Sequence, residues 1–161
     1  MNKRTLSIFA LAIGLCLFIG FTIFRGKSPE AQVKKAIEVA AEMVTKEGRD
    51  SPIAAAARAG RVLKLLTDDA EIYPGHGEDG ATGRDDVQKG LMYAFTNTDF
   101  IRVKIVGQEV TIDKPNQATV LMTAQAKAGN ITDTGGDYGE FIVKLRREKG
   151  DWLIQRVDFQ E

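Results

Sequence analysis

Few side chains in this 161-residue chain could move a proton or polarise a carbonyl near neutral pH. His76 is the only histidine. Its imidazole titrates near neutrality, so with Asp79 or Asp99 beside it the residue could serve as a general acid or base. The three tyrosines are Tyr73, Tyr93 and Tyr138. The hydroxyls of Tyr73 and Tyr93 could donate to a ligand carbonyl, as an oxyanion site does. One histidine cannot build a multi-histidine metal site. One cysteine, Cys16, can form neither an internal disulfide nor a cysteine-based zinc site. No metal and no cofactor is expected. The acids Asp68, Asp69, Asp79, Asp85 and Asp86 fall in turns and at helix starts, where capping and solubility account for them. No carboxylate can be assigned to an inward strand position, so catalysis is the less favoured expectation.

The elements that must position these groups are organised around Leu65 to Phe95. Ser28-Pro29-Glu30 has the chemistry of a helix start: a capping hydroxyl, a proline at the first position and an acid at the positive end of the dipole. Val33, Ile37, Ala40 or Ala41, and Val44 then recur at helical spacing, with Lys34, Lys35, Glu38, Glu42 and Lys46 on the other face. Asp50-Ser51-Pro52 repeats the start signal. Ile53, Ala56, Ala57, Gly60, Leu63 and Leu66 or Val62 are expected as the buried stripe of that second helix, with Arg58, Arg61 and Lys64 solvated. The helix is expected to close near Leu66. A short strand over Ala70 to Tyr73 follows, then a glycine-rich turn from Pro74 to Gly83 and a third helix from Arg84 with Val87, Leu91 and Phe95 on one face.

Beyond the third helix the period changes to two. Ile101, Val103 and Ile105 alternate with Arg102 and Lys104, but Val106, Val110 and Ile112 are even-numbered. A slip near Gly107 explains the change, as a β-bulge produces. Lys114-Pro115-Asn116 turns the chain. Ala118 to Ala126, Tyr138 to Arg147 and Trp152 to Phe159 are further strands, the second with Phe141, Val143 and Leu145 on one face. The order α-α-β-α-β-β-β-β predicts an α+β domain with helices on one face of an antiparallel sheet.

Leu66-Thr67-Asp68-Asp69-Ala70-Glu71-Ile72 followed by Gly83-Arg84-Asp85-Asp86-Val87 resembles the nuclear transport factor two-like superfamily, including its SnoaL-like branch. Gly150-Asp151-Trp152-Leu153-Ile154-Gln155-Arg156-Val157 resembles the last strand of that group. The likeness spans about residues 30 to 161. It implies a cone-shaped, cystatin-like curved sheet wrapped around the N-terminal helices, with an open end able to hold a small apolar ligand. Tyr73, His76, Tyr93, Asp99, Asp137 and Tyr138 are then the polar groups expected near that mouth, with Tyr73, His76, Tyr93 and Tyr138 as the ligand-binding candidates. The group contains isomerases, cyclases and dehydratases as well as non-catalytic domains, so the fold does not carry the function. Many members also dimerise through the outer sheet face, where Ile142 and Leu121 are the apolar candidates.

Residues 1–27 form a different kind of segment. Thr5 to Phe24 is an uncharged run of 20 residues, long enough as a helix to cross about 30 Å of bilayer core. Ile23-Phe24-Arg25 offers no small-residue cleavage signal, and Leu15 before Cys16 argues against a lipoprotein site. The segment is expected to be an uncleaved transmembrane helix over 5–24, with residues 28–161 as one domain. Lys3 and Arg4 before the run favour a cytoplasmic N-terminus and an extracytoplasmic domain. Net charge is zero, but Lys3, Arg4, Arg25 and Lys27 precede every acid and leave 18 basic and 22 acidic residues after them. A mildly acidic domain is not a nucleic-acid binder. Asn130-Ile131-Thr132 matches a glycosylation acceptor, which matters only in a host that glycosylates secreted proteins. The expectation is a membrane-anchored, extracytoplasmic small-ligand or protein-interaction module that is not catalytic. The alternative is a proton-transfer enzyme of isomerase, cyclase or dehydratase type using His76 with Tyr73 or Tyr93.

Overall fold

The structure, a computed structural model, describes residues 28–73, 80–129 and 137–160. The proposed anchor at 5–24, His76, Asp79 and the Asn130-Ile131-Thr132 acceptor all lie outside the described residues. Among the described residues no helix is long and apolar enough to cross a membrane.

Local chemistry starts the helices where the sequence signals them. Helix α1 (Pro29–Val44) is capped by Ser28, whose Oγ accepts from the Ala31 N–H at 3.3 Å. Helix α2 (Pro52–Val62) is capped in the same way by Ser51 and Ala54. Val62, Leu63 and Leu66 are buried as expected, but Ala55 and Ala59 take the place of Ala56, Ala57 and Gly60, and Ile53 is 85% exposed. An alanine-rich helix carries little phase information of its own. The phase is set by docking, with Ala55 and Ala59 packed in one cluster with Phe95 of helix α3 (Arg84–Asn97). Helix α3 begins at Gly83, whose φ of 79° is open to glycine and strained for other residues.

One seven-stranded sheet holds all the strands. They are β1 (Lys46–Glu47), β2 (Leu66–Tyr73), β3 (Ala81–Thr82), β4 (Phe100–Lys114), β5 (Gln117–Gly129), β6 (Asp137–Glu148) and β7 (Asp151–Gln160). Their order is β1-β4-β5-β6-β7-β2-β3. Strand β7 is therefore not an edge, because it also pairs with β2, and that pair is the parallel one. Leu66 to Asp69 belong to β2 after a single 3₁₀ turn at Leu63–Leu65, so the strand starts four residues earlier than the sequence pattern predicts. The register of β4 on β5 shifts between Ile105 and Gly107, which is the expected bulge. A second shift leaves Gln155 of β7 unpaired between Ile154↔Leu145 and Arg156↔Lys144. Such extra residues bend strands, and here they curl the sheet over the helices.

The concave face and the helices enclose the main core: Val33 and Ile37 of α1, Val120, Val143 and Leu145 of the central strands, and Trp152 and Ile154 of β7. Along β5 the inward side chains are buried at Ala118, Val120 and Ala124, partly exposed at Met122, and exposed at Ala126 and Ala128. The cone therefore opens toward the end of β5 and the start of β6. Lys46 was expected on a solvated face, yet it is 4% exposed. Its Nζ donates to the carbonyls of Gly48 and Thr98, which pins β1 and the end of α3 together. Arg58 is likewise drawn in: its Nε donates to Asp50 at 2.8 Å, and its guanidinium lies 5.6 Å from the Phe95 ring centre.

Candidate functional site

Pairing register fixes which residues share the mouth. Gln108 pairs with Met122, Met122 with Phe141, and Phe141 with Phe159. These four side chains form one row across β4, β5, β6 and β7 on the concave face. All are partly exposed, unlike the fully enclosed Val120 and Val143 one step deeper. The Phe141 and Phe159 rings meet edge to face, with centres 5.3 Å apart and planes at 70°. Gly139 makes room for that pair, since a Cβ there would sit 2.3 Å from Cε2 of Phe159. Gln108 is the polar member of the row. Its Oε1 is buried and has no hydrogen-bond partner among the described residues.

The inward positions from Ile105 to Ile112, Ala118 to Ala124, Gly139 to Leu145 and Trp152 to Phe159 carry no acid, histidine or tyrosine. The row offers apolar contact and one amide acceptor, which can orient a ligand but cannot carry a proton in general acid–base fashion. At the narrow end Trp152 is 6% exposed, and its Nε1–H also lacks an acceptor among the described residues. Among the described residues no cluster of His, Cys, Asp or Glu is arranged to hold a metal ion.

Tyr73, Tyr93 and Tyr138 do not converge on this mouth, and His76 lies outside the described residues. Tyr73 pairs with Asp158 and so shares the outer sheet face with Arg156, whose guanidinium lies 4.4 Å from its ring centre. Tyr93 is 73% exposed on α3, and Tyr138 is 66% exposed beside Gln125 on the outer face. Asp99 is in an ion pair with Arg49 at 3.1 Å. Asp137 opens β6 opposite the inward Ala126, so the register sets it on the concave face at the open end, where the sequence expected it. Sequence reasoning missed Gln108, Met122, Phe141 and Phe159 as site residues, although it put Phe141 on one face with Val143 and Leu145. The usable signal was the parity change at Gly107, which turns Gln108 inward.

The outer face carries a charged groove of about 540 Å³, lined by Asp69, Glu71, Thr82, Lys144, Gln155 and Arg156 together with Gly83. Its charges are mostly spent on one another. Arg156 holds Glu71 at 2.7 Å and Asp158 at 2.7 Å. The hydrogen bonds to Asp158 raise the Arg156 pKa further above its already high value. Arg146 grips both oxygens of Asp69 at 2.8 and 3.1 Å, holding that carboxyl at about 2. Such pairing rigidifies a surface and leaves little free charge for a ligand.

No protein-family model and no curated protein matches the sequence. Solved structures do. A candidate scytalone dehydratase from Novosphingobium aromaticivorans superposes with a TM-score of 0.65 at 15% identity, covering 80% of each chain. A candidate dehydratase of the NTF2-like family from Streptomyces avermitilis gives 0.63 at 15% identity, over 80% of this chain and 92% of that one. An NTF2-like protein with a cystatin-like fold from N. aromaticivorans gives 0.56 at 15% identity, over 92% of this chain and 86% of that one. Identities this low speak for architecture alone. With its curved sheet, three helices and apolar mouth, the chain has the nuclear transport factor two-like, cystatin-like fold.

Proposed function

We propose that the protein is a membrane-anchored, extracytoplasmic module that holds a small apolar ligand in the mouth of its cone without transforming it. The observation that carries this is the row Gln108, Met122, Phe141 and Phe159. It is half-exposed, apolar, free of titratable groups, and ends in an unpartnered amide oxygen. Ligand pockets are commonly apolar with a few polar groups that fix orientation. A ligand with a hydroxyl or N–H at one end of an apolar body would satisfy Gln108. The anchor rests on the uncharged run over 5–24 and the bases before it.

A thermal-shift screen of the full-length protein tests the proposal. A cognate molecule raises the midpoint of the wild type by preferential binding to the folded state. Gln108→Leu is expected to weaken that molecule by about 1–3 kcal/mol, the cost of one unmet hydrogen bond. The molecule recovered afterwards is expected to be chemically unchanged. Conversion to product would contradict the non-catalytic assignment.

The second reading is a proton-transfer enzyme using His76 with Tyr73 or Tyr93. It is favoured by the structural neighbours described as dehydratases. Tyr73 on the outer face and Tyr93 in solvent would both have to be reached by a substrate outside the cone. Turnover abolished by His76→Ala, with ligand retention intact, would establish it.

A further inference from the structure

Thr45 and Lys46 at the end of α1 meet β4 at its beginning: Lys46 pairs with Ile101, and Thr45 Oγ1 accepts from the Val103 N–H. Earlier in α1, Val33 and Ile37 pack in the cluster that holds Ala118 and Trp152. Helix α1 therefore runs along β4 toward the mouth, and Ser28 at its start lies toward the narrow end of the cone. The same end carries the turn after Lys114, the turn at Lys149 and the 3₁₀ turn that precedes Leu66. The Arg147 N–H donates to the Asn116 carbonyl at 2.8 Å, and Leu66 pairs with Ile154, so the three turns are held together.

These turns are basic. Arg61, Lys64, Lys114 and Lys149 are exposed, and none is in an ion pair among the described residues. Arg147 donates from Nε to the Gly150 carbonyl and lies 5.9 Å from the Trp152 ring centre, with no carboxylate on it. The acids of this end are partly neutralised. Glu148 is bound by Arg146 at 2.6 Å, while Asp113, Asp151 and Glu30 remain. Four residues separate Phe24 from Pro29, a reach of roughly 18 Å at most. Arg25 and Lys27 fall within that link.

We infer that the narrow end is a lipid-facing surface, on which Lys64, Lys114, Lys149 and their neighbours bind the anionic headgroups of the membrane that holds the anchor. The inference rests on the anchor of the proposed function and adds its consequence. The domain is clamped upright, and the mouth opens away from the bilayer, toward ligands in the aqueous phase. Cationic clusters beside a membrane segment gain attraction from anionic lipid that fades within a Debye length.

Trp152 is the only tryptophan and lies at this end, which supplies the probe. Full-length protein is reconstituted into vesicles of phosphatidylcholine, with or without phosphatidylglycerol, each carrying dansyl-labelled headgroups. Energy transfer from Trp152 to dansyl is expected to be higher with phosphatidylglycerol and to fall back to the neutral-lipid value in high salt. The variant K64E/K114E/K149E is expected to lose the anionic-lipid increment. Arg147 is left in place because it packs on Trp152, and an unchanged melting curve of the variant excludes misfolding. Equal transfer in both lipids, with protein retained in the vesicles, overturns the lipid contact alone. Failure of the protein to remain with the vesicles overturns the anchor and the contact with it.

Discussion

Lys46 shows at the residue scale how a charged side chain can act as a structural pin. Burial pushes its ammonium pKa down, while Asp50 and Asp99 work against that shift. The cost of burial is offset by two carbonyl acceptors on separate segments, Gly48 and Thr98. Lys46→Met keeps the apolar stem and leaves both acceptors unmet. It is expected to destabilise the fold by about 1–3 kcal/mol in chemical denaturation. A loss indistinguishable from zero would show that water replaces the ammonium. Asp69 gives a pH prediction. Its pKa falls from 3.8 to about 2 because Arg146 donates hydrogen bonds to the carboxylate. A depressed folded-state pKa contributes stability that is present above about pH 4 and lost as pH falls toward 2. The side chain is 57% exposed, so solvent screens the effect and the contribution is small. Asp69→Asn is expected to flatten the pH dependence of the denaturation midpoint within that window. An identical acid limb in the variant would assign the dependence to other groups.

At the scale of elements, order and type were legible where periodicity was long enough to read. Ser28-Pro29 and Ser51-Pro52 announced α1 and α2, and the parity change at Gly107 announced the bulge in β4. The two-residue strands β1 and β3 were not legible, because two residues carry no period. Leu66 to Asp69 read as a helix end, since Leu63 and Leu66 share helical spacing; pairing with β7 made that segment a strand instead. Only tertiary partners decide such a choice. The mouth row was half legible. Phe141 announced its own face, but Phe159 entered the row through the bulge at Gln155, which moves the inward parity of β7 from even to odd. The tyrosines drew attention by chemistry, whereas strand register put Tyr73 and Tyr138 on the outer face. Gly139 tests the element-scale design. Gly139→Ala places a methyl 2.3 Å from Phe159, so the ring must leave its present place beside Phe141. Overpacking of this kind is expected to cost about 1–3 kcal/mol and to reduce ligand binding. Unchanged stability and unchanged binding would mean that the Phe141–Phe159 pair does not shape the site.

The whole molecule joins a closed, basic narrow end to an open, apolar mouth. The helices and the curved sheet share one core around Val33, Val120 and Leu145, so the mouth is a continuation of that core rather than a separate cleft. This makes the site a compromise between packing and access: Met122, Phe141 and Phe159 are apolar enough to bind and too exposed to be core alone. Leu121 and Ile142 pair side by side on the outer face, and Leu121 is 47% exposed. If a second copy covers them, Leu121→Lys is expected to shift a dimer to monomer in sedimentation while leaving ligand affinity unchanged, because the mouth lies on the opposite face.

Native mass spectrometry of the detergent-purified, full-length chain tests the ligand site most directly. The expected result is a small non-covalent mass that is present on the wild type, weakened in Gln108→Leu, and absent from Met122→Trp, whose indole fills the row. A bare chain under the mildest conditions, or a bound mass that Met122→Trp leaves in place, would contradict a ligand held in the mouth of the cone.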